Sequence, residues 1–305
     1  MSLFNRLAEV KGRPGPEKAP ATEKISFSNG RGREEKTPFG AFYLIEGEQP
    51  GDIAFPVARD VRRNLRLLYG IGPVKEAGLQ EKGYADLRAL SRHARWADKA
   101  KRALEHIEQE DIRILRRLGA RDEEILPYYR PGEIVFLDIE TTGLWASLPL
   151  FLVGLLMRRD GKLVYKQLLA RRPDEEKALL AYLMDELSHY SLLVTFNGRK
   201  FDVPYIEGRA VEHRLFYRCP LEQIDLLYHA RRHYRGVLPD CRLVTLEEHL
   251  LGLRRKDDVP GSQIPERYFR FTRTQEAALL EDILQHNVLD LASMARLFYL
   301  VQETL

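Results

Sequence analysis

The sequence predicts an α/β fold in which a mixed sheet flanked by helices is preceded by a small, mainly helical domain. Three observations carry this. Apolar, strand-length runs cluster between residues 134 and 169 and stop at turn residues. Helical segments follow, with a short apolar strand at 192–196 between them. The stretch from about 41 to 129 continues largely through helical segments.

Size and composition set the bounds. At 305 residues the chain exceeds one typical domain only modestly, so one main core with a smaller appended unit is expected. A composition of 44% hydrophobic and 30% charged residues is that of a globular protein. No apolar run approaches the about 20 residues that cross a bilayer, so no membrane partner is expected. The start, Met1-Ser2-Leu3-Phe4-Asn5-Arg6, lacks the layout of a signal peptide, and Cys219 and Cys241 alone build neither a disulfide framework nor a zinc site. A cytoplasmic location follows as an expectation. The net charge of +3 permits a nucleic-acid partner without requiring one.

Taken in order, residues 1–40 read as a flexible tail, because from Val10 to about Gly40 there are almost no large apolar residues to offset the entropy of ordering. A mainly helical unit is expected over 41–130, opening with Ala41-Phe42-Tyr43-Leu44-Ile45. The main domain then spans 131–305. Its first strand covers 134–139, and a hairpin follows from Leu150–Met157 through Arg159-Asp160-Gly161-Lys162 to Leu163–Leu169. Pro173 and the acids behind it open a helix reaching about Tyr190. Beyond the strand at 192–196, helices are predicted near Pro204–His213, Leu226–Tyr234 and Thr245–Leu251, and from about Thr274 to the C-terminus.

The strongest chemical signal is Ile134-Val135-Phe136-Leu137-Asp138-Ile139-Glu140, an apolar strand that ends in two acids. Alternation along a strand puts Asp138 and Glu140 on one face and Leu137 and Ile139 on the other. Such a pair repels unless a cation lies between, and hard oxygens suit Mg²⁺ or Mn²⁺; the plainer reading is a strand whose end turns polar. Asp202, delivered by the next buried strand through Asn197 and Gly198, is either a third acid of the same site or a helix N-cap. Phe201 is expected to be an apolar anchor beside it. In the last helix, His286 and Asp290 stand four apart and share a face, which either closes a site or presents a boundary histidine and a salt-bridged acid. Asp225 reads as a helix cap or a supporting residue, and Asp257 and Asp258 as a solvated charge cluster. Acids of this kind suit cleavage of a phosphodiester, where two cations neutralise the phosphate, activate water and stabilise the leaving alkoxide.

Asp138-x-Glu140, Asn197 through Asp202 and His286-x-x-x-Asp290, in this order, resemble the three motifs of the DEDD-type 3′→5′ exonuclease superfamily on a ribonuclease-H-like fold. The stretches Leu243–Gly252 and Asp257–Pro265 are similar to its bacterial YprB-like branch, so the resemblance covers about 134–300. It implies that Asp138, Glu140, Asp202 and Asp290 bind two Mg²⁺ or Mn²⁺ ions, with His286 orienting or deprotonating the attacking water. It further implies that Thr141, Gly143 and Leu144 shape the substrate pocket while Asn197 and Phe201 contact the terminal nucleotide. Histidine-type members place the histidine five residues before the aspartate, and tyrosine-type members a tyrosine four before it. This chain has a histidine at the tyrosine spacing, which leaves the role of His286 open. The implied activity is 3′→5′ hydrolysis of single-stranded DNA or RNA; a structure-selective endonuclease or a non-catalytic nucleic-acid-binding protein are the alternatives.

In the N-terminal unit, Leu67-Leu68-Tyr69-Gly70-Ile71-Gly72-Pro73-Val74-Lys75 with Gly83-Tyr84 and Leu87 resembles a helix-hairpin-helix. Gly70 and Gly72 are expected to take positive φ and admit a phosphate to the helix N-terminus, with Lys75 adding charge. A tight turn between packed helices is the plainer reading, and the same module also serves protein contacts.

Overall fold

The computed structural model of the chain describes residues 31–255 and 259–302. The expected tail over 1–30 and the charge cluster of Asp257 and Asp258 lie outside the described residues. The expectation of a tail as far as residue 40 is corrected. Arg31–Thr37 forms strand β1 and Gly40–Gln49 strand β2, an antiparallel hairpin closed at Thr37 and Gly40. Gly40 takes φ +127°, which a side chain resists. A strand of the composition Arg-Gly-Arg-Glu-Glu-Lys-Thr has no apolar pattern to reveal it. It is held by its partner, whose Phe42, Leu44 and Ile45 are fully buried, and by Arg33 pairing with Glu46 across the hairpin. Charges along an exposed edge strand also deter further pairing.

The helical segments lie between Val61 and Ile125 and bury a cluster of their own around Leu65, Leu87, Leu90, Trp96 and Leu115. Two 3₁₀ turns, Val61–Arg63 and Leu65–Leu67, precede α1 (Pro73–Glu81), α2 (Leu87–Leu90), α3 (Ala97–Glu108), α4 (Ile112–Leu118) and α5 (Asp122–Ile125). The helix expected before Gly70 is therefore a pair of 3₁₀ turns. Gly70 takes φ +96°, but Gly72 is extended at φ −101°, correcting the expectation of positive φ at both.

The main sheet continues with β3 (Ile134–Thr141), β4 (Leu150–Arg159) and β5 (Lys162–Leu169), followed by α6 (Glu176–Leu187), β6 (Leu192–Thr195), α7 (Asp202–Glu212), β7 (Glu222–Asp225) and α8 (Leu226–Tyr234). Short α9 (Leu243–Leu246) widens into a π-helical turn at Glu247–Leu251, and α10 (Ile264–Thr274) and α11 (Ala278–Leu297) complete the order. The strands lie β1-β2-β5-β4-β3-β6-β7, antiparallel from β1 to β3 and parallel from β3 to β7. It is an α/β fold with a mixed sheet. The segment Ala41–Ile45, expected to open a separate helical unit, lies instead in the sheet, with β2 paired to β5.

Alternation along β3 divides the core in two. Val135, Leu137 and Ile139 join Leu179, Leu180 and Leu183 of α6 on one face, whereas Ile134 and Phe136 join Ile283, Leu284 and Leu291 of α11 on the other. Asp138 and Glu140 follow Phe136 toward the α11 face, which sets them opposite the last helix. Two further elements escaped the sequence reading. β7 is only Glu-Gln-Ile-Asp and owes its strand conformation to parallel pairing with β6. α10 shows buried residues at Ile264, Tyr268 and Phe271, a legible helical spacing.

Candidate active site

Four acids from three elements meet where β3 ends. Asp138 and Glu140 come from the strand, with its ladder shifting register between Glu140 and Thr141, the sort of bulge that re-aims side chains beside a site. Asp202 is the first residue of α7, so it is not the N-cap of that helix; Phe201 holds that position without a side-chain cap bond. Asp290 comes from α11. Asp138 is pushed well above the usual carboxylate range, first by burial and then by the charges of Asp290, Glu140 and Asp202. The other three predicted acids therefore all act on Asp138.

Asp202 is pushed up to about 7 by burial, against backbone N–H groups at Asp202 and Ile139 that favour its charged form. A carboxyl whose folded pKa exceeds its unfolded value contributes stability at low pH and loses it as pH rises through the folded pKa. In chelator, wild type and Asp202→Asn should therefore melt most alike near pH 4. By pH 8 the variant should be more stable by a few degrees, and thermal melts across that range check this.

Asn287 supports the centre and was missed by the sequence reading. It is fully buried, donates through Nδ2 to Asp138 Oδ2 at 2.8 Å and accepts from Gln167 Nε2 at 2.9 Å. The path is open because Gly154 pairs opposite Asp138; a Cβ there would meet Asn287 Oδ1 at 2.1 Å. The signal was legible: Asn287 interrupts the stripe of Leu284 and Leu291, and Gln167 lies within an apolar strand.

Asp225 fulfils both expected roles. It caps α8 by accepting from the Leu227 N–H at 3.0 Å, and it accepts from the Asn197 N–H at 2.8 Å and the Arg199 N–H at 3.3 Å. The loop that delivers Asp202 is thereby pinned, with Asn197 in the left-handed region at φ +68°. Phe201 is half-buried, its ring 5.4 Å from that of Tyr205. Thr141 Oγ1 donates to the Gly143 carbonyl, opening a loop that displays Leu144 and Trp145, 79% and 75% exposed. That loop is firmly held: Tyr205 Oη donates to the Leu148 carbonyl at 2.8 Å, and Arg209 Nη1 to that of Ala146 at 3.1 Å.

His286 lies with Nε2 3.6 Å from Asp290 Oδ2 and 4.0 Å from Glu140 Oε1. Its Nδ1 is 3.1 Å from Nη1 of Arg255, which also forks onto Glu247 through Nε at 2.7 Å and Nη2 at 2.6 Å and pairs with Asp290. Burial alone would lower the Arg255 pKa, but hydrogen bonds to Glu247 and the charge of Asp290 raise it instead. Neither Arg255 nor Glu247 was singled out, because only the π-turn and Gly252 at φ +64° fold residue 255 back onto residue 247.

Hard carboxylate oxygens that destabilise one another's charge fit a divalent cation chemically. Among the described residues, no three His, Cys, Asp or Glu side chains form a ready-made metal group.

Gly70, Gly72 and Lys75 lie in the helical unit. Lys75 Nζ donates to the Gly70 carbonyl at 2.9 Å, and Lys99 lies over the ring of the exposed Tyr69, 5.8 Å from its centroid. No described helix is long and apolar enough to cross a membrane.

A model of the RNase H superfamily matches residues 135–302, from β3 to the end of the described chain. The chain belongs to that superfamily, and its membership supports a nucleolytic hydrolase as the class of protein. Over 174 residues it is 36% identical to the uncharacterized protein YprB of Bacillus subtilis (strain 168), covering 56% of this chain and 42% of that protein. A family B DNA polymerase from Pyrobaculum calidifontis is similar over 54% of this chain and 24% of its own, at 15% identity and a TM-score of 0.43.

Proposed function

We propose that the protein is a divalent-metal-dependent nuclease that removes nucleotides from the 3′ end of single-stranded DNA or RNA in the cytoplasm. The observation that carries this reading is the meeting of Asp138, Glu140, Asp202 and Asp290 at the end of β3, in a chain of the RNase H superfamily. These four would hold Mg²⁺ or Mn²⁺, two ions by the family pattern. Bound there, the ions would neutralise the scissile phosphate and lower the pKa of the attacking water.

The chain's own groups set the geometry. Asn287 fixes the rotamer of Asp138, Asp225 pins the loop before Asp202, and the rigid loop after β3 presents Leu144 and Trp145 beside Thr141 and Gly143. Asn197 and Phe201 are assigned to the terminal nucleotide. An exposed indole on an anchored loop offers a nucleobase a stacking surface. Trp145→Ala should raise KM about tenfold, since stacking on an aromatic side chain is worth about 1–3 kcal/mol per base, and leave kcat near wild type. Steady-state kinetics on a labelled oligonucleotide measures both. Gly70, Gly72 and Lys75, with Lys99 and Tyr69 beside them, are assigned to holding the nucleic-acid backbone away from the centre.

Labelled single strands, duplexes and overhangs of DNA and RNA, incubated with purified protein and increasing Mn²⁺, test the reading. A ladder shortening from the 3′ end is expected. Discrete internal products would replace the exonuclease with a structure-selective endonuclease, and binding without products at any Mn²⁺ would leave a nucleic-acid-binding protein.

A further inference from the structure

Arg255 is a cation built into a cluster of acids, and each of its three guanidinium nitrogens has a partner there. Its side chain is 7% exposed, forked onto Glu247 and paired with Asp290. Its third contact has a chemical consequence. A guanidinium only donates, so Nδ1 of His286, 3.1 Å from Nη1, must accept through its lone pair. The imidazole proton then resides on Nε2, which faces Asp290 and Glu140. A ring in that tautomer offers a hydrogen-bond donor where a general base would need a lone pair.

We propose that Arg255, braced by Glu247, is a positioning residue that fixes the carboxylate of Asp290 and holds His286 as the Nε2–H tautomer, so that His286 donates toward a phosphoryl oxygen and does not deprotonate the water. Glu247 is a bidentate anchor that sets the plane of the guanidinium, and the π-turn followed by Gly252 brings the two together. This explains how a histidine four residues before the aspartate can serve the centre: its ring is oriented from outside α11, by residue 255. The phosphoryl part of the proposal rests on the nuclease reading, whereas the tautomer does not.

Two-bond ¹H–¹⁵N correlation spectra of ¹⁵N-histidine-labelled, full-length protein in chelator read the tautomer directly. The chain has 8 histidines, and His286 is assigned by its loss in His286→Gln. A protonated Nε2 and an unprotonated Nδ1 are expected in the wild type; the reverse would overturn the proposal without any Arg255 variant having to fold. In Arg255→Met/Glu247→Met, which removes both members of the buried pair together, the signals should become those of mixed tautomers. An unchanged Nε2–H pattern would overturn the proposal.

In the cleavage assay the double variant should lose about 10- to 100-fold in kcat with KM unchanged, as is typical when a residue supporting a metal site is removed. Arg255→Lys should not restore the rate, because an ammonium cannot fork onto Glu247 while also reaching Asp290 and His286; full restoration of both rate and tautomer would overturn the geometric role. A wild type with the expected tautomer that cleaves nothing would refute the nuclease reading and leave the positioning of His286 standing.

Discussion

Asp138→Ala is expected to reduce metal-dependent cleavage by about 10²- to 10³-fold or more, a loss at the upper end of those seen when a single group stabilising a transition state is removed. The same variant should keep its fold. In the absence of a cation, ionised Asp138 is a burden, buried among Asp290, Glu140 and Asp202, so its removal relieves repulsion. Its partner Asn287 retains Gln167 and lies 3.4 Å from the Asp138 backbone carbonyl, which the substitution leaves in place. Circular dichroism and thermal melting in chelator should match or exceed wild type, while the products of a labelled single strand disappear. Full activity in this variant would refute the assignment of the centre.

Glu176→Ala is expected to be the most damaging change to stability, by about 3–5 kcal/mol, the cost of stranding a buried charge. Glu176 is 1% exposed and receives Arg209 through Nε at 2.7 Å and Nη2 at 2.6 Å, together with the Leu150 N–H at 2.8 Å. Alanine leaves the guanidinium and the first amide of β4 without that acceptor. Because Arg209 also holds the Ala146 carbonyl, the loop carrying Leu144 and Trp145 should loosen. Urea unfolding should show a lowered midpoint, and KM should rise in the residual folded enzyme. A midpoint equal to that of wild type would mean that the network contributes nothing net.

Much of the main sheet was legible in the chain. The apolar run into Asp138 and Glu140, the hairpin through Asp160 and Gly161, and the helix at Leu226–Tyr234 follow from short-range pattern, because alternation and turn chemistry act between near neighbours. β1 was not legible, since a row of charged residues becomes a strand only when β2 offers a partner. β7 likewise took its conformation from β6. Neighbouring sequence holds no information about such pairings.

The candidate centre divides in the same way. The sequence by itself determined its chemistry: acids at strand and helix ends, and a histidine one turn before the last of them. Only the tertiary structure decided how those groups are held. Asp202 begins its helix and does not cap it, Asp138 leans on Asn287, and Asp290 and His286 are gripped by Arg255 from a segment with no motif of its own. The physical reason is range. Propensity and periodicity are properties of adjacent residues, whereas a guanidinium finds a carboxylate 35 positions away only after the chain has packed.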